Sequence, residues 1–228
     1  ACALVHDDVM DGSDTRRGKP AIHKQFEARH SEESLFGNAK EFGASAAILI
    51  GDLALSWADE LLMTSGLDQG EINRAKNVYD IMRTELMAGQ YLDVLEQFRR
   101  NATVDRARTV IRYKSAKYTI ERPLHMGAAI ANASSQQNVA LSDYGLALGE
   151  AFQLRDDLLG VFGDADTTGK PAGDDIREKK QTLLLAQALS AVEHRHDLVA
   201  IMDKQEINAE DISRAQDLIQ ASGAVDVV

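Results

Sequence analysis

Proline occurs only three times in these 228 residues, and between those breaks apolar side chains recur every three or four positions. A proline inside a helix removes a backbone donor and clashes with the preceding turn, so its scarcity leaves room for long helices. With 5% aromatic residues and long apolar runs at a 3.6-residue period, the chain is expected to be all-α rather than built on a sheet. Residues 38–62 read as one helix, with Ala46, Leu49, Ile50, Leu53 and Trp57 on its buried side. Asp68 caps a second helix running to about Phe98, and Thr103 caps a third that Pro123 should kink or divide. Further helices are expected over residues 140–161 and 176–192, and Asn208 caps a last one ending near Gly223.

No repeat of fixed period and no Ser- or Pro-rich linker divides the chain, and 44% hydrophobic residues suffice for one sizeable core. Residues 1–228 are therefore expected to form a single domain. A net charge of −11 argues against nucleic acid as a partner. No run of 18 apolar residues offers a transmembrane segment. The single cysteine excludes an internal disulfide and fits a reducing, cytoplasmic setting.

Chemistry concentrates in two aspartate pairs. The first is Asp7-Asp8-Val9-Met10-Asp11. On a helix Asp7 and Asp11 project from one face, where like charges repel unless a cation lies between them. Hard oxygen ligands on a water-open face suit Mg2+, which keeps several waters and completes its shell with substrate phosphate. Arg16, Arg17, Gly18 and Lys19 follow, and guanidinium groups bind phosphate oxygens bidentately. In a chain with 36 acidic residues one such cluster reads as a solvated face, but the pattern recurs. Asp156 and Asp157 end the otherwise apolar segment that begins at Gly149, and a Gly/Pro-punctuated loop with Lys170, then Lys179 and Lys180, comes after.

These segments, in order HDDVMD with TRRGKP, GDLAL at 51–55, ELMAGQYLD at 85–93, YKSA at 113–116, FQLRDD at 152–157 and GKPAGDD at 169–175, resemble the trans-isoprenyl diphosphate synthases. This is the polyprenyl synthetase family that includes geranylgeranyl and related synthases. The resemblance implies a single-domain bundle of long helices around a central cavity, the isoprenoid synthase type. It implies a prenyltransferase that joins isopentenyl diphosphate to an allylic diphosphate. About three Mg2+ ions would be held by Asp7, Asp8 and Asp11 on one wall and by Asp156 and Asp157 on the other. Arg16 corresponds to a ligand of the allylic diphosphate and Arg17 to the arginine for isopentenyl diphosphate. Lys114 and Ser115 fall where the family has a Lys-Thr pair near the cation, Gln153 and Asp93 where helix side chains face the cavity, and Lys170 and Lys180 at diphosphate-binding lysines. A homodimer is expected, as is common in the family.

Ala3 lies one turn below Asp7, and with Cys2 it forms a floor of small side chains. Without an aromatic plug there, a linear product of C20 or longer is expected. Three departures qualify the resemblance. Gly160 stands in place of the third aspartate of the second motif, and Lys179 in place of the usual glycine before Lys180. The chain also starts inside an apolar run, Ala1 to Val5, without Met, and stops after Gly223 where a further helix is expected. It is thus expected to be truncated at both ends, with the family's N-terminal isopentenyl diphosphate patch outside it. A class I terpene cyclase shares the first motif but carries an Asn-Ser-Glu triad instead of the second. A non-catalytic subunit of a heteromeric synthase is the other alternative, prompted by Gly160 and Lys179.

Overall fold

The structure, a computed structural model, describes residues 1–99, 101–164, 172–191, 193 and 195–228. Its helices fall into two compact units. Among the described residues the first contains 1–66 with 164, and the second those of 67–163 with 172–228.

In the first unit α1 (Cys2–Asp11) ends at Gly12, whose φ of 69° is the left-handed conformation that glycine accepts without penalty. A minimal hairpin follows, β1 (Thr15–Arg16) paired antiparallel with β2 (Lys19–Pro20). Arg17 and Gly18 both have positive φ, the primed geometry that matches strand twist. Helix α2 (Ile22–Glu32) then leads to α3 (Ala39–Met63), whose first amides are capped by the Asn38 side chain. The buried face of α3 is Gly43, Ala47 and Gly51, not the large apolar residues. A methyl group at Gly43 would strike the His23 carbonyl of α2, and one at Gly51 would strike the His6 ring of α1. The neighbours approach too closely for leucine. Leu49, Leu53 and Trp57, expected inside, are instead exposed, while Ala46 and Ile50 are half-buried.

The second unit opens with α4 (Gln69–Arg99), capped by reciprocal bonds between Asp68 and Glu71. Thr103 caps α5 (Val104–Val110) as the sequence indicates. From there the chain does not continue as an α-helix. Residues Ile111–Glu121 form a π-helix, which passes without a break in helical backbone into α6 (Arg122–Ile130), and Pro123 stands at that junction, where the register changes. Helix α7 (Ser135–Phe162) starts five residues before the expected 140, at a Ser134–Gln137 capping box legible in the sequence.

The helix expected over residues 176–192 is broken in two, α8 (Asp174–Arg177) and α9 (Leu183–Ser190). Lys179 sits between them at φ 57°, outside helical space, and Thr182 recaps the chain by accepting from the Leu185 amide. Helices α10 (Arg195–Met202), α11 (Ala209–Ala221, capped by Asn208) and α12 (Ala224–Val227) complete the unit. Its main core joins Val161, Ile176, Leu184, Leu198, Ile212 and Ile219.

Glycine fixes the π-helix between its neighbours. A Cβ at Gly89 of α4 would lie 2.5 Å from the Lys114 amide nitrogen, and one at Gly149 of α7 would lie 2.5 Å from Ala116 Cα. Gly145 meets Glu121 Cα in the same way, at 2.9 Å. Helix backbones touch here with no side chain between them. Gly149→Ala is therefore expected to lower unfolding stability by roughly 1–3 kcal/mol through overpacking. Gly127→Ala, which meets nothing within 4 Å on α6, should be neutral or stabilising by up to about 1 kcal/mol through helix propensity. Denaturant unfolding of both variants checks the contrast.

Candidate functional site

In the first unit α1 presents its acids as its helical period requires. A carboxylate oxygen of Asp7 and one of Asp11 lie within 4.8 Å of each other, a spacing that one cation can bridge. Asp8 points elsewhere. It is buried and accepts two bonds from Arg16, from Nε at 3.0 Å and Nη2 at 2.5 Å. Arg16 also lies 3.9 Å from Asp7. Burial works against the guanidinium charge, yet its bonds to Asp8 leave it held more firmly protonated than a free arginine. Arg17 is exposed on the hairpin turn beside exposed Lys19. Cys2 and Ala3 are half-buried on the turn before Asp7, the Cys2 sulfur 3.7 Å from His6 Nδ1.

In the second unit the π-helix sends two consecutive side chains to different helices. Lys114 Nζ reaches Asp93 of α4 at 2.6 Å, and Ser115 Oγ donates to Gln153 Oε1 of α7 at 2.6 Å. Gln153 turns its amide nitrogen to Asp157 Oδ1, 2.9 Å away. Asp156 beside it is exposed. The relay Ser115 to Gln153 to Asp157 thus holds one carboxylate oxygen of a residue that is only 4% exposed. The other, Oδ2, has no hydrogen-bond partner among the described residues. A buried carboxylate oxygen left without a donor is costly and fits a cation ligand. Lys180 lies 3.0 Å from Glu178 and 3.6 Å from Asp175, both half-buried. Lys170 lies outside the described residues.

The aspartates of each motif, and Lys114, Ser115, Asp93 and Gln153 singly, are positions that the sequence resemblance picks out; the pairings of Lys114 with Asp93 and of Ser115 with Gln153 come from the structure. The resemblance does not pick out two further placements. Asp175, within the GKPAGDD segment, packs its carboxylate against Gly160, and Asp8 sits under Arg16. The first carried no sequence signal beyond the anomalous glycine. The second is hinted at by an eight-residue separation that a helix followed by a hairpin turns back on itself.

The family model for polyprenyl synthetase matches residues 1–219, and the chain belongs to that family. It is 34% identical to a geranylgeranyl diphosphate synthase of Mycobacterium tuberculosis, over 96% of this chain and 58% of that protein. It is 32% identical to a geranylfarnesyl diphosphate synthase of Aeropyrum pernix, over 98% of this chain and 65% of that one. Among solved structures it resembles a geranylgeranyl pyrophosphate synthase of Corynebacterium glutamicum, crystallised with isoprenyl diphosphate and magnesium. There the TM-score is 0.94 and the identity 47%, across 99% of this chain and 64% of that one. The chain spans 57–65% of the length of these first curated relatives. Among the described residues no helix is long and apolar enough to cross a membrane.

Burial, countered by the Gln153 bond and reinforced by the charges of Asp175 and Asp156, pushes the Asp157 carboxyl up from 3.8 to about 7. The folded state then holds this proton more tightly than the unfolded chain. Its contribution to stability is lost as pH rises from about 4 through about 7. In metal-free protein Asp157→Asn is expected to unfold at nearly the wild-type temperature near pH 4. It should be the more stable of the two above neutrality, and thermal unfolding of both proteins across that window checks the sign.

Proposed function

We propose that the protein containing this chain is a Mg2+-dependent prenyltransferase that joins isopentenyl diphosphate to an allylic diphosphate, giving a linear trans-prenyl diphosphate of C20 or longer. The carrying observation is the buried Asp157 Oδ2, which has no partner among the described residues and is held at the end of the Ser115–Gln153 relay in a polyprenyl synthetase chain. The Asp7 and Asp11 oxygens, close enough to share one ion, support the same chemistry in the first unit.

Asp7 and Asp11 in the first motif, and Asp156 and Asp157 in the second, hold the metal. About three ions are assigned, as in the resemblance drawn from the sequence. When bound, Mg2+ supplies charge neutralisation for the departing diphosphate. Asp8 acts through Arg16, fixing the guanidinium that binds the allylic diphosphate, while exposed Arg17 binds isopentenyl diphosphate. Lys170 and Lys180 bind diphosphate. The allylic carbon–oxygen bond breaks, and the double bond of isopentenyl diphosphate attacks the resulting cation. The released diphosphate takes the proton lost as the new double bond forms. Gln153 steadies the cation, held in place by the Ser115 hydroxyl, and Lys114 is kept in place by Asp93.

Cys2 and Ala3 form the pocket floor, and their small size permits the longer product. A homodimer in the cytoplasm completes the proposal; the single cysteine fits a reducing compartment.

The full-length protein incubated with Mg2+, labelled isopentenyl diphosphate and dimethylallyl, geranyl or farnesyl diphosphate is expected to give linear alcohols of C20 or longer after dephosphorylation. EDTA should abolish them. Cyclic hydrocarbon without isopentenyl diphosphate would indicate a cyclase, and no product a silent subunit. Asp7→Ala and Asp156→Ala are each expected to cut turnover at least ~100-fold through lost electrostatic stabilisation, with thermal unfolding of the Asp156 variant little changed because an exposed acid contributes little stability. Normal turnover in both variants would refute the assignment.

A further inference from the structure

Where α4 crosses the end of the π-helix lies a cluster of charges that the chemistry proposed above leaves unused. The Glu85 carboxylate of α4 accepts from two cations at once. Arg122 grips it through Nε to Oε2 at 2.7 Å and Nη2 to Oε1 at 2.8 Å, and the Lys117 ammonium donates to Oε1 as well. None of the three side chains is more than 18% exposed. Burial works against the Glu85 charge, but the bonds from Arg122 and Lys117 outweigh it and hold the carboxyl below its usual range. An ion pair withdrawn from water is a weak source of net stability, and its best-attested use is to fix a register.

The spacing of the two cations shows which register. Lys117 and Arg122 are five residues apart, and at 3.6 residues per turn five residues carry a side chain about 140° round an α-helix. On an α-helix the two would point to different neighbours. Here the Arg122 amide bonds to the Lys117 carbonyl, five residues back, which stacks the two residues one π turn apart, and both reach α4. On α4 one face carries Glu85, Gly89 and Asp93 at four-residue spacing. Gly89 admits the backbone at Lys114, and Asp93 takes the Lys114 ammonium at 2.6 Å. Of these three, Glu85 is the one that joins two turns of the facing helix to each other. From Arg122 the network runs on to His125 Nδ1 at 3.2 Å, and His125 Nε2 lies 3.0 Å from Ser142 Oγ of α7. The end of the π-helix is thus anchored on α4 and α7, the same two helices that Lys114 and Ser115 reach.

We propose that Glu85 is a positioning residue for the reaction: by bridging Lys117 and Arg122 it holds residues 111–121 in the π register that sends Lys114 to α4 and Ser115 to α7. Glu85 touches no reacting group and acts through the backbone turn that carries those two side chains. Without its charge the segment is free to relax toward α-helical bonds. That rotation would part Lys114 from Asp93 and Ser115 from Gln153, the residue whose amide holds Asp157. The catalytic consequence rests on the prenyltransferase reading proposed above, whereas the register does not.

Two measurements on the full-length protein separate register from chemistry. Thermal unfolding of double-variant cycles pairs Glu85→Gln with Lys117→Met and, separately, with Arg122→Met. Each double variant is expected to lose less unfolding temperature than its two single variants summed, because one carboxylate holds both cations. Coupling to only one of the two would overturn the bridge. In steady-state prenyl transfer Glu85→Gln is expected to lower kcat ~10- to 100-fold, the scale of a small misplacement at a reacting centre, and to leave KM for isopentenyl diphosphate within ~2-fold. Asp211→Asn, which removes the charge paired with Lys204 on α11, should lower the unfolding temperature and leave kcat unchanged. An equal fall of kcat in that variant would make Glu85 merely structural and overturn the role. Wild-type kcat in Glu85→Gln beside an active parent would also overturn it, with the prenyltransferase reading intact. An inactive parent would overturn that reading, and the cycles would then decide the register alone. Where Glu85→Gln does not fold, Lys117→Met, which spares the Arg122 pair, takes its place, and a normal kcat there would overturn the role.

Discussion

A carboxylate taken out of water must be compensated, and that constraint organises most of this molecule. Asp8 is covered by Arg16, Glu96 by Arg99 and Arg106, and Asp211 by Lys204. Half-buried Glu85 joins Lys117 of the π-helix to Arg122 of α6, tying both to α4. Each of these acids fastens one helix to its neighbour or closes a helix end. Asp157 is held differently: its donors are the uncharged Gln153 amide and the Leu183 backbone N–H, and Oδ2 accepts from none of the described residues. A cation at that oxygen would offset the cost of burying it.

What delivers Asp157 and its relay is backbone proximity. The π-helix carries Lys114 and Ser115 as successive residues, and it can offer one to α4 and the next to α7 because Gly89 and Gly149 let both flanking helices touch its backbone. A π-helix widens the backbone turn relative to an α-helix, and such distortions persist where function requires them. In the first unit the same device operates on α3, where Gly43 and Gly51 seat α2 and α1 and so fix the helix that bears Asp7 and Asp11.

Much of this was legible before any coordinates. The caps Asn38, Asp68, Thr103 and Asn208 mark helix starts because short polar side chains satisfy orphan amides by local chemistry alone. Pro123 marked a junction for an equally local reason. The buried face of α3 was misjudged because hydrophobicity names the residues that gain from burial, whereas packing there was decided by which ones permit close approach. The π-helix left no trace in the apolar pattern, since its register is set by contacts with α4 and α7. The break at residues 178–182 needed the left-handed Lys179, a conformation that its side chain does not advertise. At the candidate site residue types were readable and pairings were not: Asp8 with Arg16, and Asp175 with Gly160, depend on turns that bring distant positions together.

The glycine contacts also shape how this protein would look to selection. In a saturation-mutagenesis map scored on function, Gly89, Gly145 and Gly149 would stand out as intolerant as any aspartate, though they carry no functional group. Their intolerance would extend even to alanine, whereas a position valued for its charge commonly admits a near isostere. The substitution spectrum at each site, rather than its average sensitivity, would separate residues that do chemistry from those that only make room for it.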